Sequence, residues 1–271
     1  VSSPDSRRFT IPVLSPKVGK YQLTIQAVDL AGNNNLNAST AVTAQDLKFS
    51  WEVTAALPVK LSLAPGWNLI SLPFQPANPA INSVIATTHP ADIVMTFDNA
   101  NQVWLVSRRD ATSGLFTGDV TVMTANTAYF VRTDNFQELS ILRPPVATAA
   151  AAPPPPPAIA VVPGWNLVPV VSLAIPLPKG LAADSYFGTL QSGANVGWLK
   201  AMTFSPLTRT WTSVTPNTNE RVFTATGQTF TDSCAVAYTS TALYLSETVK
   251  TQVCVGKGYW LYASAGGVII P

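Results

Sequence analysis

Two cysteines, one histidine, fourteen acidic residues and seven tryptophans are the side chains of this 271-residue chain that could carry chemistry. Cys234 and Cys254 lie 20 residues apart with no histidine near them, so they cannot complete a tetrahedral zinc site. They are a disulfide or two reduced, buried thiols. His89 precedes Pro90 in a loop, and any Ser/His/Asp or Cys/His triad would have to use it. No serine or cysteine sits in an elbow-type motif, so His89 is read as a surface loop residue. Paired carboxylates would suit glycoside hydrolysis. Asp98, Asp110, Asp119 and Asp134 instead fall in turn-like stretches and Asp184 in a loop-like one, where Asp serves the backbone. Asp98-Asn99-Ala100-Asn101 lacks the later ligands and the glycine of an EF-hand loop, and reads as a hairpin turn. No residue is assigned a catalytic, cofactor-binding or metal-ligating role, and no cofactor is expected.

The tryptophans divide by position. Trp67, Trp104, Trp165 and Trp211 recur as landmarks, and such positions in β-domains are expected in the core. Trp198, with Gly193 and Gly197 close by, is the candidate for stacking on a sugar ring. Asn37-Ala38-Ser39 is a candidate glycosylation sequon at Asn37.

What must position these residues is a repeat. Pro65-Gly66-Trp67-Asn68-Leu69 returns as Pro163-Gly164-Trp165-Asn166-Leu167, and later landmarks follow in the same order. Met95-Thr96-Phe97 with Trp104 is matched by Met202-Thr203-Phe204 with Trp211, and each copy closes on an aromatic pair, Tyr129-Phe130 and Tyr259-Trp260. Trp67 and Trp104 are 37 residues apart, Trp165 and Trp211 are 46; Trp104 and Tyr129 are 25 apart, Trp211 and Tyr259 are 48. The surplus in the second copy belongs in loops or added hairpins, and both cysteines lie in it.

Each landmark predicts a hairpin. Val59 to Leu63 is extended, Pro65-Gly66 suits the centre of a type II turn, and the chain returns from Trp67 to Leu72. Trp67 and Leu69 share one face, Ile70 and Leu72 the other, with Asn68 bonding a neighbouring backbone group. Pro169 predicts an edge or a bulge. Ile81 to Ala86 reads as a short helix, and 266–271 as a strand that closes a sheet.

The fold class that follows is all-β. Residues 1–58 are the C-terminal part of an immunoglobulin-like sandwich, 59–145 the first β repeat, 146–158 an Ala/Pro-rich linker, and 159–271 the second repeat with its Cys-containing insertion. The repeats are expected as duplicated sandwich- or barrel-like domains. Five consecutive prolines make the linker a stiff spacer. In the leading segment 8–14 reads as a strand, Gly19 to Asp29 alternates strictly, 30–35 is a turn, and Leu47 to Val53 returns.

Charged residues are 11% of the chain against about 25% in globular proteins, while 47% are hydrophobic. The surface is therefore built from small polar residues. A net charge of +2 with no basic patch argues against nucleic acid, and no apolar run spans a bilayer. The abrupt start at Val1 suggests a longer precursor.

Gly19-Lys20-Tyr21-Gln22-Leu23-Thr24-Ile25, followed by Ala27-Val28-Asp29-Leu30-Ala31-Gly32-Asn33, resembles the penultimate strand of bacterial immunoglobulin-like domains. Such a sandwich has about seven strands, so roughly half is missing here and its exposed edges invite a strand from a partner. The Pro65-to-Pro73 string with the closing Gly258-Tyr259-Trp260 is similar to a repeat of large secreted or surface-anchored prokaryotic proteins. The first copy departs from it at Thr127-Ala128, where the second has Lys257-Gly258. These resemblances imply an extracellular, non-enzymatic module and favour the disulfide. The leading expectation is a structural or adhesive segment of a cell-surface protein, a subunit of a surface layer, sheath or filament assembled by strand exchange. Its expected partner is a neighbouring chain or a further copy that completes the first domain. A carbohydrate-binding accessory region of a secreted enzyme, with a glycan as partner, is the alternative.

Overall fold

The computed structural model describes the backbone of residues 19–25 and 47–53, and residues 58–142, 157–172, 174, 177–190, 197–241 and 247–271 with their side chains. The predicted strand at 8–14, the turn at 30–35, Asn37 and most of the linker lie outside the described residues. The fold is all-β; among the described residues the only α-helices are two single turns.

The chain divides into two compact units, and both repeats belong to the same one. In the leading unit β1 (Gly19–Ile25) and β2 (Leu47–Val53) pair antiparallel over their whole length, from Gly19 opposite Val53 to Ile25 opposite Leu47.

The first repeat runs β3 (Val59–Leu63), β4 (Gly66–Ser71), α1 (Ile81–Val84), β5 (Ala91–Asp98), β6 (Val103–Arg109), β7 (Phe116–Gly118), β8 (Ala128–Thr133) and β9 (Gln137–Ile141). Five strands form one antiparallel sheet in the order β4-β8-β5-β6-β7, and β3 pairs with β9 as a separate two-stranded layer. The second repeat runs β10 (Ile159–Val161), β11 (Gly164–Pro169), β12 (Gly180–Ala182), α2 (Ala183–Tyr186), β13 (Trp198–Ser205), β14 (Thr210–Val214), β15 (Asn219–Phe223), β16 (Thr229–Thr231), β17 (Ala237–Thr239), β18 (Glu247–Lys250), β19 (Gln252–Cys254), β20 (Gly258–Ala263) and β21 (Gly267–Ile269). Its sheet has the order β11-β20-β13-β14, and β10 pairs with β21 as β3 does with β9. Register is kept between copies. Trp67 faces Arg132 and Trp165 faces Tyr262; Phe97 faces Trp104 and Phe204 faces Trp211; Met95 faces Phe130 and Met202 faces Trp260. Pro169 lies on β11, an edge strand, where its missing N–H interrupts no central ladder.

One expectation needs correcting. β3 and β4 do not pair with each other, so Pro65-Gly66 is not a hairpin turn. It is a corner at which the chain leaves one sheet and enters another. Gly66 and Gly164 adopt φ of +96° and +100°, where a Cβ would be strained. The surplus of the second copy contains the β15–β18 and β16–β17 pairs, added hairpins as anticipated.

Each repeat buries its own core. The first is built on Leu63, Ile70, Leu72, Val94, Tyr129 and Ile141, the second on Val161, Val168, Phe187, Trp198, Tyr259 and Ile269. A third cluster, Leu69, Ala128 and Leu167 with Phe97, Phe130, Phe204 and Trp260 against it, draws on both repeats. At its centre the equivalent positions Ala128 and Gly258 abut. A Cβ on Gly258 would stand 2.8 Å from both the Ala128 Cβ and Leu69 Cδ1, and 3.0 Å from the Ile70 carbonyl oxygen. The departure at Thr127-Ala128 thus has a physical reason, because at this contact only one of the two copies has room for a methyl. Gly258→Ala is expected to cost about 1–3 kcal/mol by overpacking. Pairing it with Ala128→Gly should recover most of that loss in a urea-unfolding cycle; strict additivity would contradict the contact.

Candidate functional site

Three side-chain clips, each made twice, hold the strands around the junction. Asn68 Oδ1 accepts the Ala64 N–H at 2.9 Å, and its amide donates to the carbonyls of Ala64, Gly66 and Val131. Asn166 accepts from Val162 N–H and donates to the carbonyls of Val162 and Gly164. Both asparagines are buried, and they fasten the corner on either side of the positive-φ glycine. Thr96 Oγ1 donates to the Ala128 carbonyl, and Thr203 Oγ1 to that of Gly258. The hydroxyl of Tyr129 accepts the Thr124 N–H, and that of Tyr259 accepts the Cys254 N–H. Burial raises the pKa of both phenols. Met-Thr-Phe and the closing Tyr recur because Thr and Tyr anchor backbone while Phe joins the shared cluster.

The two repeats are also clamped to each other. Asn99, in the β5–β6 turn, donates to the Leu167 carbonyl and accepts the Leu167 N–H at 2.7 Å. Ser71 Oγ donates to the carbonyls of Val170 and Lys257 and accepts the Val170 N–H. Ser172 N–H donates to the Pro73 carbonyl.

Over this junction lies an aromatic cluster. Phe97 and Trp104 pack on Trp260 with ring centroids 5.2 and 5.7 Å away, while Phe130 meets Trp67 at 6.4 Å and Trp211 at 6.5 Å. Between them a groove of about 300 Å3 is lined by Trp67, Met95, Trp104, Phe130, Phe204 and Trp211. Three of the four landmark tryptophans, expected in the core, wall it: Trp67, Trp104 and Trp211, of which Trp104 is 43% and Trp211 48% exposed. The fourth, Trp165, lies outside the groove beside Tyr262 and is 38% exposed. Their strands present this face at the edge of the shared cluster, where neighbours cover one side of each ring. Trp198, expected as the exposed sugar-stacking residue, is fully buried. Its ring lies 4.9 Å from that of Phe187, and the neighbouring Gly197 lets the chain pass against the Leu190 backbone. It cannot stack on a ligand. Gly197 signals close packing, and the signal that finds the groove is the Met/Phe/Trp recurrence itself.

The cysteines form a disulfide, Cys234–Cys254, which ties the turn after β16 to β19. Beside it Glu220 accepts the N–H groups of Ser233 and Gln252 and the Ser233 hydroxyl. These groups border a second hollow of about 380 Å3, polar where the first is apolar, with Thr218, Thr251 and Lys257 on its walls. Burial lowers the pKa of the Lys257 ammonium. Desolvation and the Asp232 carboxylate, which accepts its hydrogen bond, push the Tyr238 hydroxyl up to about 12.

The acidic residues weighed as a carboxylate pair, and read as turn and loop residues, hold backbone groups in four of the five cases. Asp98 accepts the N–H of Ala100 and Asn101, Asp110 those of Thr112 and Ser113, Asp119 that of Val106, and Asp184 that of Asn217. Asp119 ties its turn to β6, and the other three serve a turn or a neighbouring loop. Asp134 is the exception, an exposed residue on a third hollow taken up below. Arg109 is structural: it donates to the carbonyls of Ala86, Thr87, Ala91 and Gly114 and covers the Phe116 ring.

His89, read as a surface residue, is half-buried. Its Nδ1 accepts the Ala91 N–H at 3.1 Å and its buried Nε2 meets no polar partner among the described residues. Burial, and then the Arg109 charge, lower its pKa below 6.5. The folded state therefore refuses a proton that the unfolded chain accepts, so stability should fall as pH drops below about 6.5. Asp98 and Asp110, held below their usual range by hydrogen bonds, withdraw their stabilisation only in more acid solution. His89→Asn retains a short acceptor for the Ala91 N–H and does not titrate. Its urea midpoint should be flat across the histidine range where the wild type declines; parallel profiles would contradict this.

Comparison with family models, with curated proteins and with solved structures returned no match.

Proposed function

We propose that the protein is a non-enzymatic structural or adhesive module of a cell-surface protein, working outside the cell. The observation that carries this reading is the junction. Two repeats share one aromatic cluster, reciprocal backbone clamps and a central Ala128–Gly258 contact, which is an arrangement suited to bearing position rather than to turning over a substrate. The disulfide and the charge-poor composition are compatible with an extracellular setting, and no helix among the described residues is long and apolar enough to cross a membrane.

The assembly half of the reading rests on the leading segment. Among the described residues β1 and β2 pair only with each other, and such a two-stranded ribbon is marginal without further strands. A neighbouring chain completes the sheet by strand addition, giving a layer, sheath or filament. Light scattering of the whole chain over a range of concentrations tests it. Growth of mass with concentration, or a defined oligomer, supports assembly; a monomer throughout removes strand exchange.

A further inference from the structure

We propose that the aromatic groove at the repeat junction binds a glycan, and that its preferred units are gluco-configured pyranoses. This rests on the adhesive half of the function above and names its ligand class.

The groove exists because the two copies differ at one position. Trp260 fills its side of the junction, packing at 5.2 and 5.7 Å on Phe97 and Trp104. The equivalent Phe130 is smaller, and about 300 Å3 stays open beside it, at the lower end of the range for small-molecule sites. Trp104 and Trp211, both nearly half exposed, stand at its mouth on a chain poor in charge.

A second asymmetry supplies the polar end. Asn99 closes the first repeat's turn onto the Leu167 backbone, whereas its counterpart Pro206 has no side-chain donor. There a hollow of about 390 Å3 remains between the turn and the Pro65–Trp67 corner, sharing Trp67 and Phe204 with the groove. It carries Asp134 and Arg209, both exposed and neither in a hydrogen bond or ion pair among the described residues.

An apolar floor continuous with one free carboxylate and one free guanidinium matches a particular chemistry. A gluco-configured pyranose presents axial C–H bonds on both faces, which pack on aromatic rings, and a rim of equatorial hydroxyls. Hydroxyls donate to Asp134 and accept from Arg209. The opposite charges favour a neutral glycan over an acidic one. A wholly apolar peptide would leave both unused.

The test is titration of the whole chain with cellohexaose and chitohexaose, followed by tryptophan fluorescence and calorimetry. At least one should bind, and Trp211→Ala should weaken binding tenfold or more. Phe130→Trp, which refills the groove in the manner of Trp260, should abolish binding while the protein stays folded by circular dichroism. Trp165→Ala, at a partly exposed tryptophan outside the groove, should leave the affinity unchanged. Absence of binding to both oligosaccharides at millimolar concentration overturns the proposal. So does binding that survives both groove variants, or capture of a Pro-rich peptide in their place. Because polymerisation is read separately by light scattering, loss of the glycan site leaves the assembly reading standing, and the converse holds.

Discussion

Trp198→Ala is expected to destabilise the second repeat by about 3–5 kcal/mol, the range for emptying a large aromatic site in a core. The indole is fully buried against Phe187, amid Tyr186, Leu190 and Ala263 of the second core. Little around it can collapse, because Gly197 already presses on the Leu190 backbone. Trp104→Ala and Trp211→Ala, at half-exposed rings, should each cost well under half as much, since less apolar surface returns to water. Trp198 Nε1–H has no partner among the described residues, so Trp198→Phe removes an unsatisfied donor and should be far milder than alanine. Urea unfolding of the four variants checks the order. A Trp198→Ala protein as stable as Trp211→Ala would mean that Trp198 is not core.

The second large effect is at the clips. Asn68→Ala removes the partner of the Ala64 N–H and of the Ala64 carbonyl in a buried corner, and Asn166→Ala does the same for Val162. Leaving one buried polar group unsatisfied costs about 1–3 kcal/mol, so each variant should lose about 2–4 kcal/mol. Asn68→Asp keeps the acceptor but loses the three donated bonds and buries a charge, so it should not rescue. Similar losses at both asparagines would follow from their shared role. A loss below about 1 kcal/mol at either would mean that water reaches the corner and replaces the side chain.

Much of the fold was legible because the repeat carries its own geometry. The strands beginning at Gly19, Leu47, Val59 and Val103, the short helix at Ile81, the strand near the end of the chain and the presence of hairpins in the second copy's surplus followed from alternation, turn residues and spacing. Of the edge or bulge expected at Pro169 the structure has the edge. The Pro-Gly corner was not, because a turn sequence fixes local dihedrals and says nothing of which strands pair beyond it. The same Gly66 conformation serves a hairpin and a sheet-to-sheet corner equally well. Asn68 held the missing information, since a buried Asn one residue past a Trp binds the corner to itself.

The tryptophans were misread for a related reason. Recurrence marks a residue as required by the repeat, and the requirement here is at the surface between copies as well as within them. Trp67, Trp104 and Trp211 face the junction, a place that exists only when both copies are present. Trp198 stands where the first copy has Ala91, each at the start of its strand and each fully buried, so the position is core in both copies and only the size of the side chain differs. Nor could spacing reveal that Phe130 and Trp260 differ in a way that leaves a cavity.

The two repeats share one compact unit and one aromatic cluster, and should therefore open as one body. Native-state hydrogen exchange of the whole chain with rising urea tests it most directly, because each amide reports its own opening free energy. Amides of β4 and β8 in the first repeat and of β11 and β20 in the second should converge on one opening curve, and Gly258→Ala should lower protection in both. Separate curves, with the first repeat fully protected after the second has opened, would contradict the shared body.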